Sequence, residues 1–218
     1  MKSLSLALIR IALLAGVLSL AACGAGTGGT STGGASTGGA SSTAPTAMPK
    51  PKPTTPPPIT AAYCQSIMTV AQANQIMNPP VQATTINAQS SPEVGVCRYD
   101  PPQAQFAIVK ILIDEKAYTG PKPVPEATIA QLVSQLESSP GATITTTTPV
   151  SGVGDQAEFL AASVSESGMS FYVDAFYVIY GNVAFMCDDF HMNTKPDDAT
   201  QQNELQQCAE QVVNRLNS

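Results

Sequence analysis

The sequence predicts an α+β domain over residues 61–218, in which a mostly antiparallel sheet is covered by about three helices. Runs of β-branched and aromatic residues joined by short turns indicate the strands. Apolar residues at helical spacing near the beginning, middle and end of this region indicate the helices. An even number of cysteines within it predicts two disulfides.

The first helix is predicted to run from Val70 to Met77. Thr69 precedes it and Gln72 follows three residues later, which is the pattern of a capping box. Pro79 and Pro80 end the helix because proline cannot continue it. Three strands are then predicted, near Val81 to Ala88, Val94 to Tyr99 and Gln105 to Asp114.

The middle of the domain combines a buried strand, a helix and a tight turn. Phe106 to Ile113 is apolar on both faces apart from Lys110, which predicts a central place in the sheet. A helix that begins at Pro125 presents one apolar stripe, and two further strands flank the turn at residues 151–155. The stripe consists of Ile129, Leu132, Val133 and Leu136.

The last strands form a predicted hairpin around Gly181-Asn182, a two-residue loop that joins Met169 to Tyr180 with Val183 to Phe190. A closed loop of this kind pairs Val178 with Phe185 and Phe176 with Cys187. A final helix from about Asp198 to Leu216 follows, and Cys208 lies on its apolar stripe. The helix is therefore expected to cover the sheet face that carries Cys187.

Four of the five cysteines, Cys64, Cys97, Cys187 and Cys208, lie in the domain. They allow three pairings, and we predict Cys64 with Cys97 and Cys187 with Cys208 because each pair belongs to one local unit. A zinc site is the alternative, but the chain has one histidine and no Cys-x-x-Cys pair.

Residues 1–22 predict an export signal, since Lys2 and Arg10 precede the apolar run from Ile11 to Leu20. That run is shorter than the roughly 20 residues that span a bilayer. The sequence Leu20-Ala21-Ala22-Cys23-Gly24 resembles the bacterial lipobox. The resemblance implies cleavage before Cys23 and a diacylglycerol on its sulfur, so that the protein would be held at the outer face of the cell membrane.

Residues 23–60 are predicted to be a disordered tether behind the lipidated Cys23. Of the 37 residues from Gly24 to Thr60, 33 are Gly, Ser, Thr, Ala or Pro, so they cannot bury enough apolar area to fold. The folded domain then begins at residue 61.

Several short motifs together resemble a known family. They are Cys64, the Thr69 helix start, Cys97-Arg98-Tyr99, the sequence Val150-Ser151-Gly152-Val153-Gly154-Asp155-Gln156-Ala157, and a late cysteine in a C-terminal helix. This order is similar to small actinobacterial cell-surface lipoproteins that carry a domain of unknown function. It is also similar in layout to the two-disulfide extracytoplasmic sensor domains of mycobacterial kinases. The resemblance implies a fold and a location, and brings no catalytic residues.

Charge argues against nucleic acid as a partner. All 16 acidic residues but only six of the ten basic ones lie in residues 61–218, and an acidic domain repels a phosphate backbone. Nucleophilic catalysis also lacks support, because residues 61–218 contain no Gly-x-Ser-x-Gly elbow and the domain thiols are assigned to disulfides. We therefore predict that the protein is not an enzyme and needs no cofactor.

The hairpin pairing also places Asp174 opposite Asp189 and Tyr172 opposite His191. Directly opposed carboxylates repel each other, so solvent, a proton, Lys195, a metal or the N-terminus of the final helix must relieve them. The helix N-terminus together with solvent is the simplest expectation. A divalent metal held by Asp174, Asp189 and His191 is the alternative.

Three functions remain open from the sequence. The first is a non-enzymatic binding or interaction domain with an envelope partner. The second is a carrier of a small apolar ligand or lipid, whose pocket would be lined by residues such as Phe106, Ile129 and Phe171. The third is a metal-dependent hydrolase that uses the Asp174, Asp189 and His191 cluster.

Overall fold

A computed structural model describes residues 58–79, 81–91, 94–102, 107–118, 134, 137, 138, 141–166, 168–192 and 194–218. The helices in this part of the chain are α1 (Ala61–Ile67), α2 (Val70–Met77) and α3 (Asp198–Leu216), and a 3-10 turn covers Glu115–Tyr118. The strands are β1 (Thr85–Ser90), β2 (Val94–Asp100), β3 (Val109–Asp114), β4 (Ala142–Val150), β5 (Gln156–Glu166), β6 (Met169–Tyr180) and β7 (Val183–Met192).

The strands form one antiparallel sheet in the order β1-β2-β3-β7-β6-β5-β4. All three helices lie on the same face, where their apolar residues join those of the sheet in the larger core cluster. The opposite face has its own buried cluster, which includes Leu112, Tyr177 and Met186. The predicted α+β class with a mostly antiparallel sheet is confirmed.

The β6–β7 hairpin has the register that its two-residue loop predicts. Val178 faces Phe185 and Phe176 faces Cys187 across the two strands. Gly181 has φ of 62°, a left-handed conformation that glycine adopts without a steric penalty. The hairpin therefore fixes which side chains of β6 and β7 point toward the helices.

The helix ends also follow the sequence closely. The Thr69 and Gln72 side chains form the predicted capping box at the start of α2. Helix α3 has the predicted bounds, and the Asp197 side chain accepts a hydrogen bond from the backbone N–H of Thr200. Because the caps satisfy N–H groups that a helix leaves free, they define where α2 and α3 begin.

The strand predicted from Val81 to Ala88 begins later than expected, at Thr85. The Asn74 side-chain amide donates to the Ala83 carbonyl at 2.9 Å and accepts from the Ala83 N–H at 2.8 Å. The backbone of Ala83 therefore bonds to helix α2 instead of a neighbouring strand. Val81 is left with 57% of its surface exposed.

Helix α1 was not predicted. The Thr60 side chain accepts a hydrogen bond from the Tyr63 N–H and caps its start. Ile59, assigned to the tether, belongs to the core and lies against Gly95, where any Cβ would collide with the Ile59 side chain. The chain therefore enters the sheet beside the first residues of β2.

The structure describes only some of the remaining predicted elements. The central position of β3 is confirmed, since it pairs with β2 and β7, and the strands around the 151–155 turn are β4 and β5. Some predictions fall on residues that the structure does not describe: Phe106, Ile129 and the start of the helix predicted from Pro125. Ser134 and Glu137, later in that predicted helix, are helical.

Cys23 and residues 1–22 also lie outside the described residues. Within the described part, no helix combines the length and apolar character that crossing a membrane requires.

Candidate functional site

The Cys97-Arg98-Tyr99 motif joins the sheet to helix α1. Cys97 is disulfide-bonded to Cys64, and both residues are fully buried. The Tyr99 hydroxyl lies 2.9 Å from the carbonyl oxygens of Cys64 and Met68, at the end of α1. On the other sheet face, Arg98 donates to Asp100 at 3.1 Å. This motif has a structural role, and the predicted Cys64–Cys97 disulfide is confirmed.

The second predicted pair is brought together without a bond. The sulfurs of Cys187 and Cys208 are 2.7 Å apart, which is longer than the roughly 2.05 Å of a disulfide. Both thiols are free and fully buried. Burial, reinforced by the neighbouring Cys208, raises the pKa of the Cys187 thiol. The structure thus places α3 over Cys187 as expected but leaves the second disulfide as a prediction.

The sheet face that carries Cys187 also carries a cluster of polar and ionisable side chains, which we call the acid cluster. Its members are Asp174 on β6, Asp189 and His191 on β7, and Gln201 and Glu204 on α3. The hairpin register places Asp174 opposite Asp189, as predicted. Only 2% of the Asp174 surface and 4% of the Asp189 surface are exposed. Two carboxyl groups are therefore removed from water at the same point.

His191 is the direct partner of Asp189. Its Nε2 lies 2.6 Å from Asp189 Oδ2. The two side chains form an ion pair when the imidazole is protonated. Burial alone would lower the pKa of His191, but Asp189, Gln201 and Asp174 together raise it.

Helix α3 contributes two members of the cluster that the sequence analysis missed. Gln201 is buried, and its Nε2 donates to Glu204 Oε2 at 3.1 Å. The signal was present in the sequence, because Gln201 lies four and seven residues before Leu205 and Cys208 and so shares their inward stripe. A polar residue on that stripe predicts a polar partner on the sheet.

Burial is the main electrostatic effect in the cluster. It raises the pKa of Asp174 to about 7, with Asp189 adding to the shift and His191 opposing it. Burial also raises the pKa of Glu204 to about 7, again with Asp189 adding and His191 opposing. Both shifts have the same cause, since a low-dielectric environment disfavours the charged carboxylate.

The N-terminus of α3 does not serve the buried carboxylates in the way the sequence suggested. Its cap is Asp197, whose side chain accepts from both the hydroxyl and the N–H of Thr200, and these two hydrogen bonds lower the pKa of Asp197. Asp198 lies 3.4 Å from Lys195 and accepts a hydrogen bond from the Thr146 hydroxyl at 3.1 Å. The ion pair with His191 is the relief that the structure shows.

The acid cluster does not form a metal centre in this structure. Among the described residues, no group of three or more His, Cys, Asp or Glu side chains has an arrangement that could hold a metal ion. Asp188, the neighbour of Asp189, faces the other side of the sheet and pairs with Lys110 at 2.8 Å. The predicted trio of Asp174, Asp189 and His191 is thus brought together, but not as a metal-ligand set.

The acid cluster and Ile59 lie at opposite ends of the sheet. Ile59 contacts Gly95 at the start of β2, whereas Tyr99 near its end pairs with Val109, which in turn pairs with Asp189. Tyr99 lies four residues after Gly95, a span of roughly 13 Å along the strand. The acid cluster is therefore at the end of the domain remote from Ile59.

No family model and no curated protein matches this sequence. A protein of unknown function, PA94 from Pseudomonas aeruginosa, is similar in structure, with a TM-score of 0.35, 15% identity, and coverage of 60% of this chain and 83% of that one. LpqN, a protein involved in cell envelope biogenesis of Mycobacterium tuberculosis, has a TM-score of 0.28, 16% identity, and coverage of 66% and 92%. At these TM-scores neither likeness supports an argument about fold or function.

Proposed function

We propose that this protein is an extracytoplasmic lipoprotein, anchored through Cys23, that displays a non-enzymatic binding domain at the outer face of the cell membrane. The tether that follows Cys23 and ends before Ile59 separates the anchor from the domain. The partner is an envelope protein, with a small apolar ligand as the alternative. The domain needs no cofactor for this role.

The observation that carries the proposal is the buried Cys64–Cys97 disulfide. Structural disulfides form and persist outside the reducing cytosol. The bond joins α1, the first element after the tether, to β2 in the sheet. An exported chain with a lipobox-like Cys23 would thus reach the compartment in which its first helix can be bonded to the core.

The anchor is tested by fractionation of cells that express the full chain or its Cys23→Ser variant. We expect the native chain in the membrane fraction, extractable with detergent. Cys23→Ser is expected to lose the lipid and its processing while the domain keeps the Cys64–Cys97 bond. If the Cys23→Ser variant were cleaved as completely as the native chain and stayed in the membrane fraction to the same extent, the proposed anchor would be wrong.

The binding role is tested by crosslinking the mature protein in its own envelope and identifying both proteins and lipids by mass spectrometry. A specific protein partner supports the interaction role. Recovery of stoichiometric lipid without a protein partner supports the carrier alternative.

Phe171 is one of the three residues expected to line a carrier pocket. It is buried, and its ring is stacked on that of Phe190 with the ring centres 5.7 Å apart.

A further inference from the structure

The acid cluster contains buried oxygen atoms that lack partners. Asp174 Oδ2 and Gln201 Oε1 are both buried, and neither has a hydrogen-bond partner in the described part of the chain. Such atoms lose their hydration without gaining a replacement contact, which is costly. Charge on Asp174 would increase that cost, whereas a proton would remove the charge.

We propose that the acid cluster is a proton-dependent latch, in which protons held among Asp174, Glu204 and His191 keep the first half of helix α3 docked on strands β6 and β7. Release of these protons leaves like charges on both sides of the contact between helix and sheet. The latch is a property of the folded domain and does not depend on the lipid anchor or on a binding partner.

The charge balance of the cluster follows from its members. In the protonated form, His191 is positive, Asp189 is negative, and Asp174 and Glu204 are neutral, so the buried charges cancel. In the deprotonated form, His191 is neutral and the three carboxylates are negative. Like charges in a poorly solvated site repel strongly, and the repulsion acts between Glu204 on the helix and the two aspartates on the sheet.

Other charged groups near the cluster do not reverse this balance. Lys195 is half-exposed and pairs with Asp198. Asp198 itself adds a further negative charge near Asp174. Lys110 and Asp188 face the opposite side of the sheet. Tyr172 on β6 lies opposite His191. Among the described residues, the cations nearest the cluster are thus His191, which loses its charge as pH rises, and a lysine already paired with an acid.

Protonation of Asp174, Glu204 and His191 favours docking of the helix in all three cases. The pKa values of Asp174 and Glu204 rise from 3.8 and 4.5 to about 7 in the folded protein, and that of His191 rises above 6.5. The docked form therefore binds more protons than an undocked form in which these groups are hydrated. Docking is then strongest below the ordinary carboxyl pKa values of 3.8 and 4.5, and it weakens as pH rises from there through about 7.

The effect should be confined to the first half of α3. The second half is held by contacts that do not titrate in this range. Cys208, Ala209 and Val212 belong to the apolar core, Arg215 Nε donates to Ser66 Oγ at 2.6 Å, and the Tyr180 hydroxyl donates to Asn217. Local opening of one helical segment within an intact domain is an ordinary property of native proteins.

Hydrogen exchange measured by mass spectrometry on the full mature chain tests the latch. Exchange is compared at about pH 5.5 and about pH 8, corrected for chemical exchange, in buffers with EDTA so that a bound metal cannot produce the effect. We expect the protection of residues 199–206 to fall by roughly tenfold or more at the higher pH. Protection of residues 209–216 is expected to stay nearly constant.

Three variants separate the latch from general instability. Asp174→Asn with Glu204→Gln removes both titrating carboxyls, and Glu204→Gln alone removes one from the half-exposed helix surface. Both are expected to reduce the pH dependence, whereas Glu210→Gln on the exposed side of the same helix should retain it. Equal loss of protection in both halves of α3, or a pH dependence unchanged in the Glu204→Gln variant, would overturn the proposal.

Discussion

His191 Nε2 and Asp189 Oδ2 lie 2.6 Å apart, on residues two positions apart along the same face of β7, and the buried Asp174 lies opposite Asp189 on β6. Asp189→Asn should lower the pKa of His191, because it removes the nearest negative charge and leaves burial to disfavour the imidazolium. The chain has one histidine, so its ring signals in a proton NMR titration need no further assignment. Asp188→Asn, on the opposite face, is the matched control. An unchanged His191 titration in Asp189→Asn would contradict the ion pair.

The Tyr99 hydroxyl is expected to stabilise the fold through the carbonyl groups of Cys64 and Met68. Tyr99→Phe keeps the buried ring but removes the hydroxyl from both carbonyl groups, of which that of Cys64 still accepts from the Met68 N–H. The loss should cost about 1–3 kcal/mol in the free energy of unfolding. Denaturant unfolding measures the change. Tyr172→Phe, at a half-exposed ring of β6, should cost less. Equal costs would mean that the Tyr99 hydroxyl has no special role.

The Cys64–Cys97 bond encloses a sequence separation of 33 residues. Replacing both cysteines with alanine should lower the free energy of unfolding by roughly 3–4 kcal/mol, because the unfolded chain regains its freedom. A reductant should lower the stability of the native protein by a similar amount under mildly denaturing conditions, and the double variant should lose this part of its response. A double variant as stable as the native chain would contradict the structural role of the bond.

Cys187 and Cys208 are expected to form the second disulfide in the exported protein. Their sulfurs are close, and an oxidising compartment provides the acceptor of electrons. Non-reducing peptide mapping of protein taken from the envelope should find the Cys187–Cys208 crosslink. If instead both thiols react with an alkylating reagent after denaturation, the protein carries one disulfide and a buried thiol pair.

Much of this fold follows from local sequence signals. The Gly181-Asn182 loop fixed the register of β6 and β7, and so placed Asp174, Asp189 and His191 correctly. Thr69 and Gln72 marked the start of α2, and the spacing of Leu205, Cys208 and Val212 marked the face of α3. Each of these signals acts over a few residues, which is why each could be read without knowledge of the rest of the chain.

Features that depend on tertiary contacts could not be read in the same way. Asn74 holds the backbone of Ala83, which moves the start of β1 to Thr85. A bulge between Ile144 and Thr146 in β4 moves Ile144 to the second apolar cluster, while Val150 of the same strand packs on the first. Gln201 lies on the predicted apolar stripe of α3, but its hydrogen bond to Glu204, and the nearness of Glu204 to Asp189, depend on how α3 docks on the sheet.

The mass of the amino-terminal peptide of the protein, purified from its own membrane, tests the central claim most directly. We predict a peptide that begins at Cys23 and carries a diacylglycerol on the sulfur, with Cys64 and Cys97 bonded in the same sample. A chain that begins at Met1 with an unmodified Cys23 and four free domain thiols would contradict the account.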